Sequence, residues 1–188
     1  MKKKLFKTLV IAPVAFVMMA GVAIALEQTN GSGLTHEGAS LGFNAKADLR
    51  GNITYTSHDG TGFQVMCRDG LTRYQNQKPT AQGYLRTRVT ASCTDQNGVP
   101  IYAEIYFIDR GEPGTRDVER IFFTYNPAYA MDANGDPAVY LTECNNGAVI
   151  VDGCMDVGII TAGNVQIHQD PDPALRETVV IGEDAAAV

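Results

Sequence analysis

The sequence predicts an all-β protein with little helix: an antiparallel β-sandwich or, alternatively, a small closed β-barrel. Three observations carry that expectation. Short runs rich in β-branched and aromatic residues alternate polar with apolar positions, and Gly, Asn and Asp turn signals separate them at about 8–12-residue spacing. No segment sustains the 3.6-residue apolar repeat of a helix over eleven or more residues. The four cysteines form an even set suited to stapling such a domain.

The first 25 residues read as a signal peptide. Lys2, Lys3, Lys4 and Lys7 form a basic start, Leu9 to Val22 an apolar run, and Ala23-Ile24-Ala25 the small-x-small pattern of a cleavage site. Removal takes four lysines from the 15 basic residues and leaves 11 against 21 acidic, a net charge of −10. That charge excludes a nucleic-acid partner, which needs a basic patch against its phosphates. No later segment is apolar enough to span a membrane. The expected location is secreted or periplasmic.

Residues 26–41, "LEQTNGSGLTHEGASL", are rich in Gly, Ser and Thr and read as a flexible linker. The β domain is expected over 42–168. It opens on "GFNAKADLRGNITYTS", where Phe43, Ala45, Ala47 and Leu49 alternate with Asn44, Lys46, Asp48 and Arg50. "FQVMCRDG" is a second strand. "YLRTRVTASC" places Leu85, Thr87, Val89, Ala91 and Cys93 on one face, and the face with Cys93 is expected to point inward. "IYAEIYFID" and "DVERIFFTY" have the β-branched and aromatic content of central strands. "AVYLTEC", "AVIVDGC", "VGIITAG" and "NVQIH" follow as short runs. Residues 169–188 read as a C-terminal tail with one docked strand at "ETVVI".

Cys67, Cys93, Cys144 and Cys154 all lie in the mature region, where an oxidising compartment makes disulfides of them. Three connectivities are open. Cys67–Cys93 and Cys144–Cys154 are favoured, because a hairpin could close each.

Three motifs in order, "SLGFNAKADLRG", "DRGEPGTRD" and "GNVQIH", resemble the post-COAP-1-type β domain of secreted bacterial proteins. The resemblance covers about Gly38 to His168. It implies an extracellular β-rich domain whose molecular function is not established, and it brings no catalytic residues. Arg110 stands where that family's turn usually has Asn, and "TECNNGAVIVDGCMD" reads as an elaboration of it.

"DRGEPGTRD" also holds three carboxylates and two guanidiniums. Its Gly111-Glu112-Pro113-Gly114 centre has the pattern of a type II turn, with Pro presetting φ and Gly supplying φ > 0. Asp109, Arg110, Arg116 and Asp117 are then expected to face one another as charge pairs across the ladder. As chemistry, Asp109 and Glu112 could bind Ca²⁺ or act as an acid/base pair, but the neighbouring arginines would hold both carboxylates ionised.

In "DANGDPAVYLTE", Asp132, Asn134 and Asp136 have the spacing of a Ca²⁺ loop. Pro137 occupies the position at which an EF-hand needs Gly, so the expectation is a weak calcium site of another type. His36, His58 and His168 are the only histidines, and none sits in a recognisable catalytic motif. Tyr74, in the polar "TRYQNQ" stretch, and Tyr129, after Asn-Pro, are the aromatics expected to be exposed and free to stack on a sugar.

The expected role is therefore structural or interactive, with a protein or glycan partner at the cell exterior, no catalytic residues and no cofactor beyond the candidate Ca²⁺. A ligand-binding module for glycan or weak Ca²⁺ is the alternative. A hydrolase ranks third, since it would need carboxylates or histidines converging in a cleft.

Overall fold

The computed structural model describes residues 27–111, 116–126, 128–129, 141–145, 147, 150–169 and 179–181. The strands are β1 (Gln28–Leu34), β2 (Ser40–Lys46), β3 (Gly51–Thr56), β4 (Gln64–Arg68), β5 (Leu71–Gln77), β6 (Leu85–Asp95), β7 (Pro100–Asp109), β8 (Val118–Thr124), β9 (Thr142–Glu143), β10 (Gly153–Ile159), β11 (Ala162–His168) and β12 (Val179–Ile181). They form one sheet in the order β11-β1-β2-β3-β4-β6-β7-β8-β10-β9, with β5 joined to β6 and β12 joined to β5.

The all-β expectation holds, and the sheet is a single curled half-barrel. Its two flanks face each other much as the leaves of a sandwich do. Phe43 of β2 stacks on Phe107 of β7 at 4.1 Å, and Tyr55 of β3 meets Phe123 of β8 edge-on at 5.1 Å. Ile53, Ile101, Ile105 and Ile121 fill the space between them.

The alternation read from the sequence sets these faces. Leu41, Phe43 and Ala45 of β2 are buried, as are Val89, Ala91 and Cys93 of β6. The opening run "GFNAKADLRGNITYTS" is two strands, however, because the chain reverses between Lys46 and Gly51 and pairs β2 with β3. The outer face of β6 and β7 also holds a buried ion pair, Arg88–Glu104.

The linker expected at 26–41 is corrected: most of it is structured. β1 lies between β11 and β2 and pairs with both along its whole length. Its small residues are a packing requirement. A Cβ on Gly31 would lie 2.4 Å from the Asn164 carbonyl oxygen and 2.8 Å from the Phe43 ring. The docked strand expected in the tail is present as β12, which pairs antiparallel with β5 at Val179↔Gln75.

Both favoured disulfides form, with Cα–Cα separations of 4.2 Å for Cys67–Cys93 and 4.9 Å for Cys144–Cys154. Neither closes a simple hairpin. Cys67–Cys93 joins β4 to β6 one step beyond their last paired residues, Met66 and Thr94. Cys144 follows β9, which runs parallel to the β10 strand that carries Cys154.

Candidate functional site

The acids of "DRGEPGTRD" lie at the seam where β11 approaches the β7–β8 connection. Asp117 is fully buried; its Oδ1 accepts the Arg110 amide at 2.8 Å and its Oδ2 the Val165 amide at 2.9 Å. Asp109 accepts the Ile167 amide at 3.1 Å and the Gly111 amide at 2.8 Å. The expectation of cross-ladder charge pairs is corrected to this extent: regular β7–β8 pairing ends at Ile108↔Val118, and both carboxylates take main-chain donors. The Val165 and Ile167 amides belong to β11, an edge strand whose outward donors these two carboxylates satisfy. Two side chains thus do at this edge what another strand would do. Arg110 points away, its guanidinium over the Tyr84 ring at 5.8 Å. Glu112 and the centre of the turn lie outside the described residues, so the proposed pairing of Asp109 with Glu112 does too.

The three motifs quoted above therefore meet in space. "GNVQIH" is β11, "DRGEPGTRD" seals it, and "SLGFNAK" is β2, one strand further along through β1.

A second acidic cluster, which sequence reasoning missed, fills one end of the half-barrel. On β8, Glu119 keeps the inward phase of Ile121 and Phe123; on β10, Asp156 keeps the phase of Cys154. Asp156 is in register with Ile121 and Glu119 with Gly158, so the two acids are diagonal neighbours on the inner face. Both residues are fully buried. One acid in the inward phase of each of two otherwise apolar strand faces was the available signal.

The Thr35–Ala39 turn between β1 and β2 roofs this pair. The Thr35 amide bonds the Ala39 carbonyl at 2.9 Å and closes the turn. The His36 amide donates to Glu119 Oε1 at 2.7 Å. The His36 side chain rests on Gly158, where an added Cβ would lie 2.3 Å from the His36 Cβ and Cγ. Tyr55, buried below, donates its hydroxyl to Asp156 Oδ2 at 3.0 Å. Glu119 Oε2 and Asp156 Oδ1 have no hydrogen-bond partner among the described residues.

Asn145, next to the second disulfide, ties the roof to the β3–β4 connection. Its side-chain amide donates to the Glu37 carbonyl, and its Oδ1 accepts the His58 amide at 2.7 Å. Asp59 accepts the Gly147 amide at 2.7 Å and the Thr61 hydroxyl at 2.6 Å. His58 Nε2 lies 2.7 Å from the Ser40 hydroxyl. Two of the three histidines thus come to this end, whereas His168 pairs with Gln28 at the far end of β1.

The electrostatics are dominated by burial and by repulsion among the acids, with His36 as an opposing charge on Asp156. Burial raises Glu119 to about 8, helped by the charges of Asp156 and Glu37 and opposed by the His36 amide. Burial and the Asp156 charge raise Glu37 to about 7. Asp156 is raised as well by burial, although Thr35, Tyr55 and the Glu37 amide pull the other way. Burial and neighbouring Asp156 push the Tyr55 phenol far up. Asp59, by contrast, is held well below the carboxylate range: burial opposes this, but the Ser57 and Thr61 donors prevail. The cluster can hold protons near neutral pH. Among the described residues no group of three or more His, Cys, Asp or Glu could hold a metal ion.

Two expected ligand contacts are changed. Tyr74 is fully buried: "TRYQNQ" lies within β5, and the Tyr74 hydroxyl sits 3.2 Å from Thr29 Oγ1 and 3.3 Å from Asn76 Oδ1. It is polar core, and burial raises its pKa to about 12. Tyr129 is half-buried against Phe122 and Leu141. Asp132, Asn134 and Asp136, the candidate Ca²⁺ ligands, lie outside the described residues. Beside the first disulfide, Met66, Arg68, Ser92, Cys93 and Thr94 line a surface groove of about 420 Å³.

Fold and site together define a disulfide-stapled, all-β domain of an oxidising compartment, with a roofed acid cluster at one end. No family model matches the chain, and no curated protein or solved structure is significantly similar to it.

Proposed function

We propose that the chain is a secreted or periplasmic bacterial β domain of the post-COAP-1 type, with a structural or interaction role and no catalysis of its own. One observation carries this reading: the acids of the most chemically suggestive motif, Asp109 and Asp117, accept main-chain amides of β11. Carboxylates used to satisfy an edge strand are architecture. The second cluster supports the same reading, because Glu119 and Asp156 are fully buried beneath a turn. A reacting group must come within hydrogen-bond reach of its substrate.

The partner expected is a protein or glycan at the cell exterior, presented to the domain after cleavage behind Ala25. The experiment has two arms. N-terminal sequencing of exported protein should give a chain starting at Leu26. The same protein, offered ester, glycoside, phosphoester and peptide substrates from pH 5 to 9, should turn over none of them above buffer. Turnover that Glu119→Gln or Asp156→Asn abolishes would overturn the non-catalytic reading, and an uncleaved chain retained in the cytoplasm would overturn the export.

A further inference from the structure

We infer that the Thr35–Ala39 turn is a proton-gated latch: it stays shut while Glu119 and Asp156 hold their protons and is released when they lose them to solvent. The inference goes beyond the structural role, since it gives that end of the domain two states.

The geometry comes first. Two fully buried carboxyl groups are diagonal neighbours on the inner face, and each has one oxygen with no hydrogen-bond partner among the described residues. An unpartnered oxygen is tolerable on a protonated carboxyl and costly on a carboxylate. The roof above them is a short turn held by hydrogen bonds and one ring contact: the His36 amide on Glu119, the His36 ring on Gly158, Asn145 on Glu37, the Thr161 hydroxyl on the Thr35 carbonyl, and the Thr35 side chain and Glu37 amide on Asp156. A turn held so locally can lift without unpairing β1 from β2 and β11.

The groups that face the pair pull both ways, and burial outweighs those that favour the ionised forms. From the turn come Glu37, which adds a third negative charge beside Glu119, and His36, whose charge opposes the shift of Asp156. β3 supplies Tyr55, a donor to Asp156, and the β3–β4 connection supplies Asp59 and His58. Glu143 of β9 lies near Glu37 and is again negative. The His36 amide on Glu119, and the Thr35 hydroxyl, Tyr55 hydroxyl and Glu37 amide on Asp156, favour the ionised forms, but burial is the largest influence on both acids and raises both. Lifting the turn lets water reach both carboxylates.

The sign follows. Glu119 and Asp156 hold protons more tightly in the closed state than in water, so the closed state is favoured in acid and loses ground as pH rises from the ordinary carboxylate range through the raised value of about 8 at Glu119. Acid shuts the latch, and neutral to mildly alkaline conditions release it.

Amide hydrogen exchange of the intact mature protein from pH 5 to 9, corrected at each pH for the intrinsic rate, reads the latch directly. Protection of the His36 and Ala39 amides should fall at least about tenfold over that range, while Ile105 in the middle of β7 keeps its protection. In the Glu119→Gln/Asp156→Asn double variant the turn should stay protected at every pH. If the double variant does not fold, Glu119→Gln alone should show a clearly smaller fall. A flat profile in the wild type, a fall shared equally by Ile105, or a wild-type profile in the variant that folds would each overturn the latch.

Discussion

Replacing Asp117 by Ala tests whether a side chain seals the half-barrel. The carboxylate is fully buried and accepts two main-chain amides, from Arg110 and Val165. Alanine leaves both donors without that acceptor, and a buried unsatisfied group costs about 1–3 kcal/mol. Two such losses give about 2–6 kcal/mol, a large share of the 5–15 kcal/mol typical of a domain. Asp117→Asn keeps one acceptor oxygen and should lose about half as much. Urea unfolding followed by far-ultraviolet circular dichroism measures both, with the m-value unchanged if unfolding stays two-state. Exchange of the Val165 amide should speed up in Asp117→Ala more than that of Ile105. A loss below about 0.5 kcal/mol, which is within the scatter of ordinary surface substitutions, would refute the seam.

Three further outcomes follow from the same structure. Replacing both Cys67 and Cys93 by Ala should cost about 3–4 kcal/mol, as expected for a loop closed over a separation of 26 residues, and the Cys144–Cys154 pair, separated by 10, should cost less; equal or reversed losses in urea would contradict this ordering. Gly158→Ala forces a methyl against His36 and should destabilise by about 1–3 kcal/mol, with faster exchange at the His36 amide than elsewhere. Arg88→Met alone should cost about 3–5 kcal/mol by stranding Glu104, whereas Arg88→Met with Glu104→Leu should recover most of it; a double variant as unstable as the single would contradict that account.

What the sequence made legible was whatever alternation encodes. β2, β6, β7 and β8 could be read because their inward residues are large and apolar, and the cysteines paired as favoured because each pair ended close in space. β1 was hidden because its neighbours demand small residues, so "QTNGSGL" has the composition of a linker while Gly31 fits under Phe43. β5 was hidden because its inward side chains at Tyr74 and Asn76 are polar and find Thr29 and Thr87 across the core. The same mechanism hid the site. Glu119 and Asp156 are in phase with core residues, but composition counts them as surface charge, and only the register between β8 and β10 brings them together. The roof over them was assigned to the supposed linker. "DRGEPGTRD" was legible as a connection between strong strands, while the use of its aspartates depended on where β11 came to lie.

The central claim is that burial, with mutual repulsion at Glu119 and Glu37, makes the acids at the roofed end hold protons well above the ordinary carboxylate range. Carboxyl-carbon NMR titration of the mature protein measures this directly. The account predicts that Glu119 titrates near 8, Glu37 near 7 and Asp156 above the ordinary aspartate range. Midpoints near 4 for all three would place these carboxyls in water and contradict it.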